Sequence, residues 1–359
     1  MKIILSTFYI INVGDFILNV VFASDNNYVP YLSVCMISLL DNNSKDFDKI
    51  NIFILDDNIS NDNKNKLESI VENYNANINF INVNVIEKVE GIPPIIRDNV
   101  SSFTTYSRLF IPSLLPKSID KVLYLDCDSL ICGSFKELWD LDIKNYSCAT
   151  VYDQYTTGSK FIKELFNLNQ DGDYYNAGFL LINLEYWRKN NIESKFLNFL
   201  VENKSKLLWH DQDVINAVLK DTILPVDLKY NLMSCLHELS FDSVRKWQAL
   251  WKFYDKDVVK NAQKNPVFLH FACIPFLRPW INSNSKYYEL YKKYASLSPF
   301  YNVIFKNNDF SNYELFRYKI YNSFLMGLIL SILPMNFCIK MKYNRQSKEY
   351  KKIMESRNN

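Results

Sequence analysis

Glycine is scarce: the chain has seven in 359 residues, and none of them builds a G-x-G-x-x-G or G-x-x-x-x-G-K-[ST] pattern. A dinucleotide fingerprint and a P-loop are excluded on that ground. Net charge is nearly absent as well, 41 basic against 39 acidic side chains, so no molecule-wide field draws in nucleic acid, and nucleic acid is not expected as a partner. The seven cysteines, Cys35, Cys127, Cys132, Cys148, Cys235, Cys273 and Cys338, are odd in number, scattered and without a C-x-x-C pair. That usage suits reduced thiols and a cytosolic catalytic body better than a disulfide framework. Apolar residues are plentiful at 48%, enough for a sizeable core, which excludes disorder as the main state.

The first two-thirds of the chain alternates short β-rich runs with helical patterns. "NVVFA" (19–23), "INIFILD" (50–56), "INFINV" (78–83) and "KVLYLD" (121–126) read as strands. "YVPYLSVCMISLL" (28–40), with Pro30 in its first turn, and the polar "NDNKNKLESIVENY" (61–74) read as helices. Such alternation predicts an α/β fold with a mostly parallel sheet covered on both faces and ligands at the carboxyl ends of its strands. The opening "MKIILSTFYIINVGDF" carries one lysine and a short apolar stretch but no small-residue cleavage site, and residues 1–17 are read as an N-terminal extension.

Two aspartates, Asp126 and Asp128, flank Cys127 at the end of "KVLYLD". Side chains at i and i+2 of an extended segment share a side, and two facing carboxylates are costly unless a cation neutralises them. A divalent metal is the simplest reason for the pair. Three further stretches carry matching parts. In "YYNAGFLLINLEYW" (174–187), Asn176, Ala177 and Gly178 lead into a strand, with two small residues that let a ligand approach the backbone. In "WHDQDVINAVL" (209–219), Asp211, Gln212 and Asp213 occupy the first turn of an amphipathic helix, where acids also complement the helix dipole. In "VFLHFACIPFLRPW" (267–280), His270, one of only three histidines, precedes a Pro-interrupted loop ending in Arg278.

Taken in order, "FASDNNYVPYLSVCMISLL", "TTYSRLFIPSLL", "KVLYLDCDSL", "YNAGFLLINLEYW", "HDQDVIN" and "HF…RPW" resemble the family 8 glycosyltransferases, over about residues 18–282. The resemblance implies a GT-A type, Rossmann-like, mostly parallel sheet flanked by helices, with a small helical C-terminal extension over 283–359. It implies a retaining transfer of a hexose, glucose or galactose, from a UDP-sugar to a glycan or glycolipid acceptor such as lipopolysaccharide. In those terms Asp126, Asp128 and His270 are the metal ligands, and two hard oxygens with one imidazole suit Mn²⁺ better than Mg²⁺, which stands as the alternative. Ala23, Ser24, Asp25 and Asn27 are expected to line the uridine pocket. Arg108, Asp126, Cys127, Asn176, Ala177, Gly178, Asp211, Gln212, Cys273 and Arg278 are expected along the nucleotide sugar, with Asp153, Gln212 and Asp213 as the catalytic candidates. Retention has two routes: a double displacement with Gln212 or Asp213 as nucleophile, or attack by the acceptor hydroxyl on the face the phosphate leaves, which is favoured because an amide is a poor nucleophile.

The loop "HFACIPFLRPW" departs from the family pattern, with Cys273 near a glycine position and Arg278 for a lysine, which puts its phosphate contacts in doubt. Two rivals are weighed. A haloacid-dehalogenase phosphohydrolase also uses D-x-D, but near the chain start and followed by Thr or Gly, where Ser129 and Leu130 stand here. A catalytically silent sugar-nucleotide binder of the same fold would draw its support from the altered loop.

From Ile320 to Ile339 no residue is charged, and residues 340–359 then carry seven Lys or Arg against two Glu. A span would send this basic tail away from the cytosol, against the positive-inside tendency. The expectation is a helix lying in the membrane interface with basic flanks on anionic lipid, which places the enzyme on the inner face of the cytoplasmic membrane. The alternative is a buried helix with a solvated tail.

Overall fold

A computed structural model describes residues 16–83, 95–97, 100–169, 172–238, 241–250, 253–272, 277–305, 329 and 332–358. The strands in chain order are β1 (Ile17–Asp25), β2 (Lys49–Asp57), β3 (Ala76–Asn82), β4 (Ile95–Arg97), β5 (Val100–Ser102), β6 (Lys121–Leu125), β7 (Ser129–Ile131), β8 (Cys148–Thr150), β9 (Phe179–Asn183), β10 (Ile223–Pro225), β11 (Leu232–Met233) and β12 (Phe268–His270). Seven form one sheet in the order β10-β8-β9-β6-β1-β2-β3. Pairing is parallel except at β9, which runs antiparallel to both β6 and β8. The sheet is therefore mostly parallel, as the alternation predicts.

Successive residues of one strand feed opposite cores. Val20 and Phe22 of β1 join Ile52, Leu123, Leu125 and Phe179 in one apolar cluster, while Val21 joins Leu55, Val122, Tyr124 and Leu180 in the other. This is why the strands read as continuous apolar runs: both faces of the sheet are covered. Each such fully buried side chain contributes roughly 1.5–3 kcal/mol.

The helix Val29–Asn43 starts on Pro30 and buries most of its surface, including Leu32, Val34, Leu39 and Leu40. Its outer side meets the segment beyond residue 282. Ser33 Oγ lies 2.6 Å from Ser298 Oγ, Asn42 donates to the Tyr294 hydroxyl at 3.0 Å, and Tyr291, Tyr294, Phe300 and Ile304 belong to the same core as the sheet. Residues 283–305 are thus packed into the body of the molecule.

A second, three-stranded sheet in the order β11-β12-β7 carries the chemistry. In its antiparallel β12–β7 pair His270 stands opposite Ser129, and the Phe271 N–H donates to the Asp128 carbonyl at 2.8 Å. Asp128 and His270, 142 positions apart in the chain, are brought together by that register. Among the described residues, Cys35, Cys127, Cys132, Cys148, Cys235 and Cys338 are free thiols, as expected, and no helix is long and apolar enough to cross a membrane.

Candidate functional site

The carboxyl ends of β1 and β6 open into a cleft of about 580 Å³, within the ordinary size range for small-molecule sites. Asp126 follows β6 directly, and its N–H is tied to the Gly178 carbonyl at 2.8 Å. Asp126, Asp128 and His270 each offer one ligand atom, all within 4.8 Å of one another. His270 Nε2 lies 3.7 Å from Asp126 Oδ2 and 3.3 Å from Asp128 Oδ1.

The second oxygen of each carboxylate is held by an arginine. Asp126 Oδ1 accepts from Arg108 Nη2 at 2.9 Å and from the Tyr124 hydroxyl at 3.0 Å. Asp128 Oδ2 accepts from Arg278 Nη2 at 3.2 Å. One oxygen of each acid thus points at His270 while the other is pinned away. Arg278 is in turn anchored by the Phe271 carbonyl at 3.1 Å and lies over the Trp280 ring.

Three observations fit a divalent cation here. His270 Nε2 is a buried nitrogen with no hydrogen-bond partner, aimed between the two acids. The donor set, two carboxylate oxygens and an imidazole, is one that metals of the manganese class accept. Gly178 leaves space: a Cβ there would sit 2.5 Å from Asp126 Oδ2 and closer still to His270 Cε1. Burial works against a charged imidazole, yet the neighbouring carboxylates of Asp128 and Asp126 hold the His270 pKa above its ordinary value. Burial likewise works against ionised Asp128, but His270 and Arg278 hold its carboxyl well below the usual range. Burial pushes the Cys127 thiol well above its usual pKa, so the residue between the acids is a neutral spacer, donating to the Ala23 carbonyl at 3.2 Å.

A second network lies beside the first. The Asn183-bounded strand β9 is preceded by Asn176, Ala177 and Gly178, and the helix Asp211–Leu219 brings Gln212 against them. Gln212 Oε1 accepts from Ala177 N at 3.0 Å and from Asn176 Nδ2 at 3.1 Å, and Gln212 Nε2 lies 3.4 Å from Asp153 Oδ2. Asp153 Oδ1 accepts the backbone N–H groups of Tyr155 and Thr156 at 3.0 and 2.7 Å, and its Oδ2 accepts from Asn176 Nδ2 at 3.1 Å. Asp211 Oδ2 is 3.0 Å from Arg108 Nε, an ion pair whose atoms are not aligned as a hydrogen bond. Burial pushes the Asp211 carboxyl up to about 7 against the pull of Arg108.

Nearly all the sequence-predicted residues converge. Ala23, Ser24, Asp25, Asn27, Arg108, Asp126, Cys127, Asp128, Asp153, Asn176, Ala177, Gly178, Asp211, Gln212, His270 and Arg278 all line the cleft. Asp25 caps the turn that leads into the first helix, its Oδ1 accepting the N–H groups of Asn27 and Tyr28 at 2.9 Å each. Asp213 does not line the cleft: it is fully buried, and its oxygens accept from the Tyr174 hydroxyl and from Leu208 and Trp209 N–H, all at 2.6 Å. Cys273 lies outside the described residues. Sequence reasoning passed over Tyr155, Trp209 and His210, which also line the cleft, although the aromatic beside "DQD" was a usable signal. It also missed Asn231 behind His270, for which the sequence offers no pattern.

A mostly parallel sheet with an Asp-Cys-Asp motif at its carboxyl edge, a distant histidine and two arginines around one cleft defines a glycosyltransferase of the GT-A fold. Known proteins agree. The family model for glycosyl transferase family 8 matches residues 19–284, and the chain belongs to that family. General stress protein A of Bacillus subtilis is 30% identical over 76% of this chain and 90% of its own length. A lipopolysaccharide 1,2-glucosyltransferase of Escherichia coli is 25% identical over 88% of this chain and 89% of its own. Among solved structures, galactosyltransferase LgtC in complex with donor and acceptor sugar analogues has a TM-score of 0.65 and 27% identity, covering 79% of this chain and 96% of that one.

Proposed function

We propose that this chain transfers glucose or galactose from a UDP-sugar to a cell-surface glycan acceptor with retention of configuration, dependent on Mn²⁺. The observation that carries this reading is the convergence of Asp126 Oδ2, Asp128 Oδ1 and the unpartnered His270 Nε2 in a cleft flanked by Arg108 and Arg278. Those three residues would hold the cation, which when bound supplies Lewis-acid stabilisation to a departing diphosphate. Arg278 carries a fork of N–H groups that matches phosphate oxygens, and its seat on the Trp280 ring directs it into the cleft.

The sugar-side residues support the same-face route. Gln212 Oε1 is already committed to two donors, and both Asp153 oxygens accept hydrogen bonds at a residue 2% exposed. Asp213 is withdrawn behind Tyr174. Neither Asp153 nor Asp213 stands free to attack an anomeric carbon, and Asp211 is paired with Arg108, so the departing phosphate is the base that takes the acceptor proton.

A donor panel tests the reading: purified protein with Mn²⁺ should release UDP from UDP-glucose or UDP-galactose and from few other donors. Asp128→Asn should lose turnover by several orders of magnitude while still folding, at some cost in melting temperature from the lost pairing to His270 and Arg278. An active Asp128→Asn protein would remove the metal assignment.

The C-terminal helix Met335–Asn358 presents Phe337 and Met341, each about half exposed, beside the exposed Lys340 and Lys348. This outer face is suited to the interface of an anionic membrane. Deleting residues 316–359 should release the protein from vesicles containing phosphatidylglycerol, and undiminished binding would end that part of the reading.

A further inference from the structure

Asn231 is wholly buried, yet it belongs to no apolar cluster and every polar atom it has is used. It sits between the single turn Leu228–Tyr230 and β11, directly behind the histidine of β12. Its Oδ1 is 3.2 Å from His270 Nδ1, its Nδ2 donates to Asn176 Oδ1 at 2.9 Å, and its carbonyl accepts from Gln154 Nε2 at 2.6 Å.

The direction of every hydrogen bond in this chain can be settled from two backbone amides, whose polarity is never ambiguous. The Gly178 N–H donates to Asn176 Oδ1 at 3.0 Å, so that atom is oxygen and the other terminus of Asn176 is the amide nitrogen facing Asp153 and Gln212. The Ala177 N–H likewise fixes the Gln212 oxygen. An oxygen at Asn176 requires a donor from Asn231, which turns the Asn231 oxygen toward His270. Facing an acceptor, His270 Nδ1 must carry the proton, and its Nε2 then presents a lone pair toward Asp126 and Asp128.

We infer that Asn231 is a positioning residue that holds His270 in the Nδ1–H tautomer and couples this cation ligand, through Asn176, to the Asp153–Gln212 group on the sugar side of the cleft. The inference rests on the cation site proposed above. Partners that fix the tautomer of a ligating histidine commonly account for roughly 10–100-fold in metal affinity.

The test uses the full-length protein at pH 8.5, with Mn²⁺ binding read from the loss of the free-ion paramagnetic resonance signal and no donor sugar present. Asn231→Leu, which removes the acceptor at Nδ1, should bind Mn²⁺ roughly 10–100-fold more weakly. Asn231→Asp keeps that acceptor but deletes the donor to Asn176, so it should bind Mn²⁺ at least as tightly as the parent while sugar transfer falls. Binding by Asn231→Leu within twofold of the parent, or Asn231→Asp as weak as Asn231→Leu, would overturn the inference. With three histidines in the chain, ¹⁵N-histidine resonance of the unsubstituted protein at the same pH reads the tautomer directly: protonated Nδ1 is expected at His270, and a protonated Nε2 with bare Nδ1 overturns the assignment without any variant. A parent protein that takes up no Mn²⁺ at all fails the proposed function instead, before the variants are compared.

Discussion

A methyl group at Gly178 has nowhere to go. Its backbone is not left-handed, so the need for glycine there is steric: the added carbon would fall on the ends of Asp126 and His270, the two groups that must stay converged. Gly178→Ala should therefore lower the melting temperature, since Asp126 and His270 must both shift against the partners that hold them, and weaken Mn²⁺ binding by roughly 100-fold, as misorienting a ligand shell does. Titration of the variant with Mn²⁺ checks this, and parental affinity would refute the steric argument. At this scale the sequence was informative where chemistry is rare. Two acids one residue apart and one of three histidines stood out against the background, and the structure brings them together. Asn231 did not stand out, because a buried asparagine acquires its meaning only from the register that lays β11 beside β12.

Elements decide which acid faces the cleft and which faces the core. Asp211, Gln212 and Asp213 are consecutive in the first turn of one helix, about 100° apart around its axis, so they cannot all face one ligand. Asp211 and Gln212 turn to the cleft, and Asp213 turns inward to hold Leu208 and Trp209, the loop that precedes His210 with its positive φ of 51°. Burial pushes the Asp213 carboxyl up to about 6 while its three donors pull the other way, which leaves it charged at neutral pH. Asp213→Asn should accordingly destabilise the fold by about 1 kcal/mol, because the amide carbonyl can keep both backbone N–H groups but the amide nitrogen then replaces the oxygen that accepts from the Tyr174 hydroxyl. It should reduce turnover without abolishing it. Denaturant titration and initial rates together decide the matter: parental stability with no turnover would restore Asp213 as a nucleophile. The sequence placed all three residues correctly on a helix start, but periodicity alone does not say where around the axis the ligand lies. The antiparallel entry of β9 was equally hidden, since a strand buried on both faces reads the same in either direction.

On the scale of the whole molecule, the tail helix Met335–Asn358 is docked onto the flank of the domain that carries Ser159 and Gln248 by a polar stripe. Cys338, Lys342 and Gln346, spaced four apart, are all buried. The Lys342 amine donates to the Gln248 carbonyl at 2.6 Å, Gln346 Oε1 accepts from the Ser159 hydroxyl at 2.5 Å, and Phe161 packs against the rings of Tyr343 and Tyr350. No sequence pattern announces this, because a lysine and a glutamine occupy positions where apolar residues normally mark the inward face. Of the basic residues that suggested a lipid surface, Lys340, Lys348, Lys351 and Lys352 are exposed while Lys342 is buried and Arg345 reaches Gln248, and most of the uncharged run 320–339 lies outside the described residues. Ser159 caps the helix Lys160–Phe166, and the turn before it carries Asp153 and Tyr155, so docking of the tail and the shape of the cleft wall are mechanically joined. Burial pushes the Lys342 pKa down to about 7, with Arg345 adding to the effect and the Asp153 charge opposing it. The sign follows from linkage: between pH 7 and the ordinary lysine value the undocked chain holds a proton that the docked one has released, so docking strengthens as pH rises through that window. The slope is at most ~1.4 kcal/mol per pH unit. Lys342→Met should flatten the dependence and make the tail more resistant to limited proteolysis at pH 6, where the parent must bury a charged ammonium. A parent whose tail is cleaved at the same rate from pH 6 to pH 9 would show that Lys342 is not buried when docked.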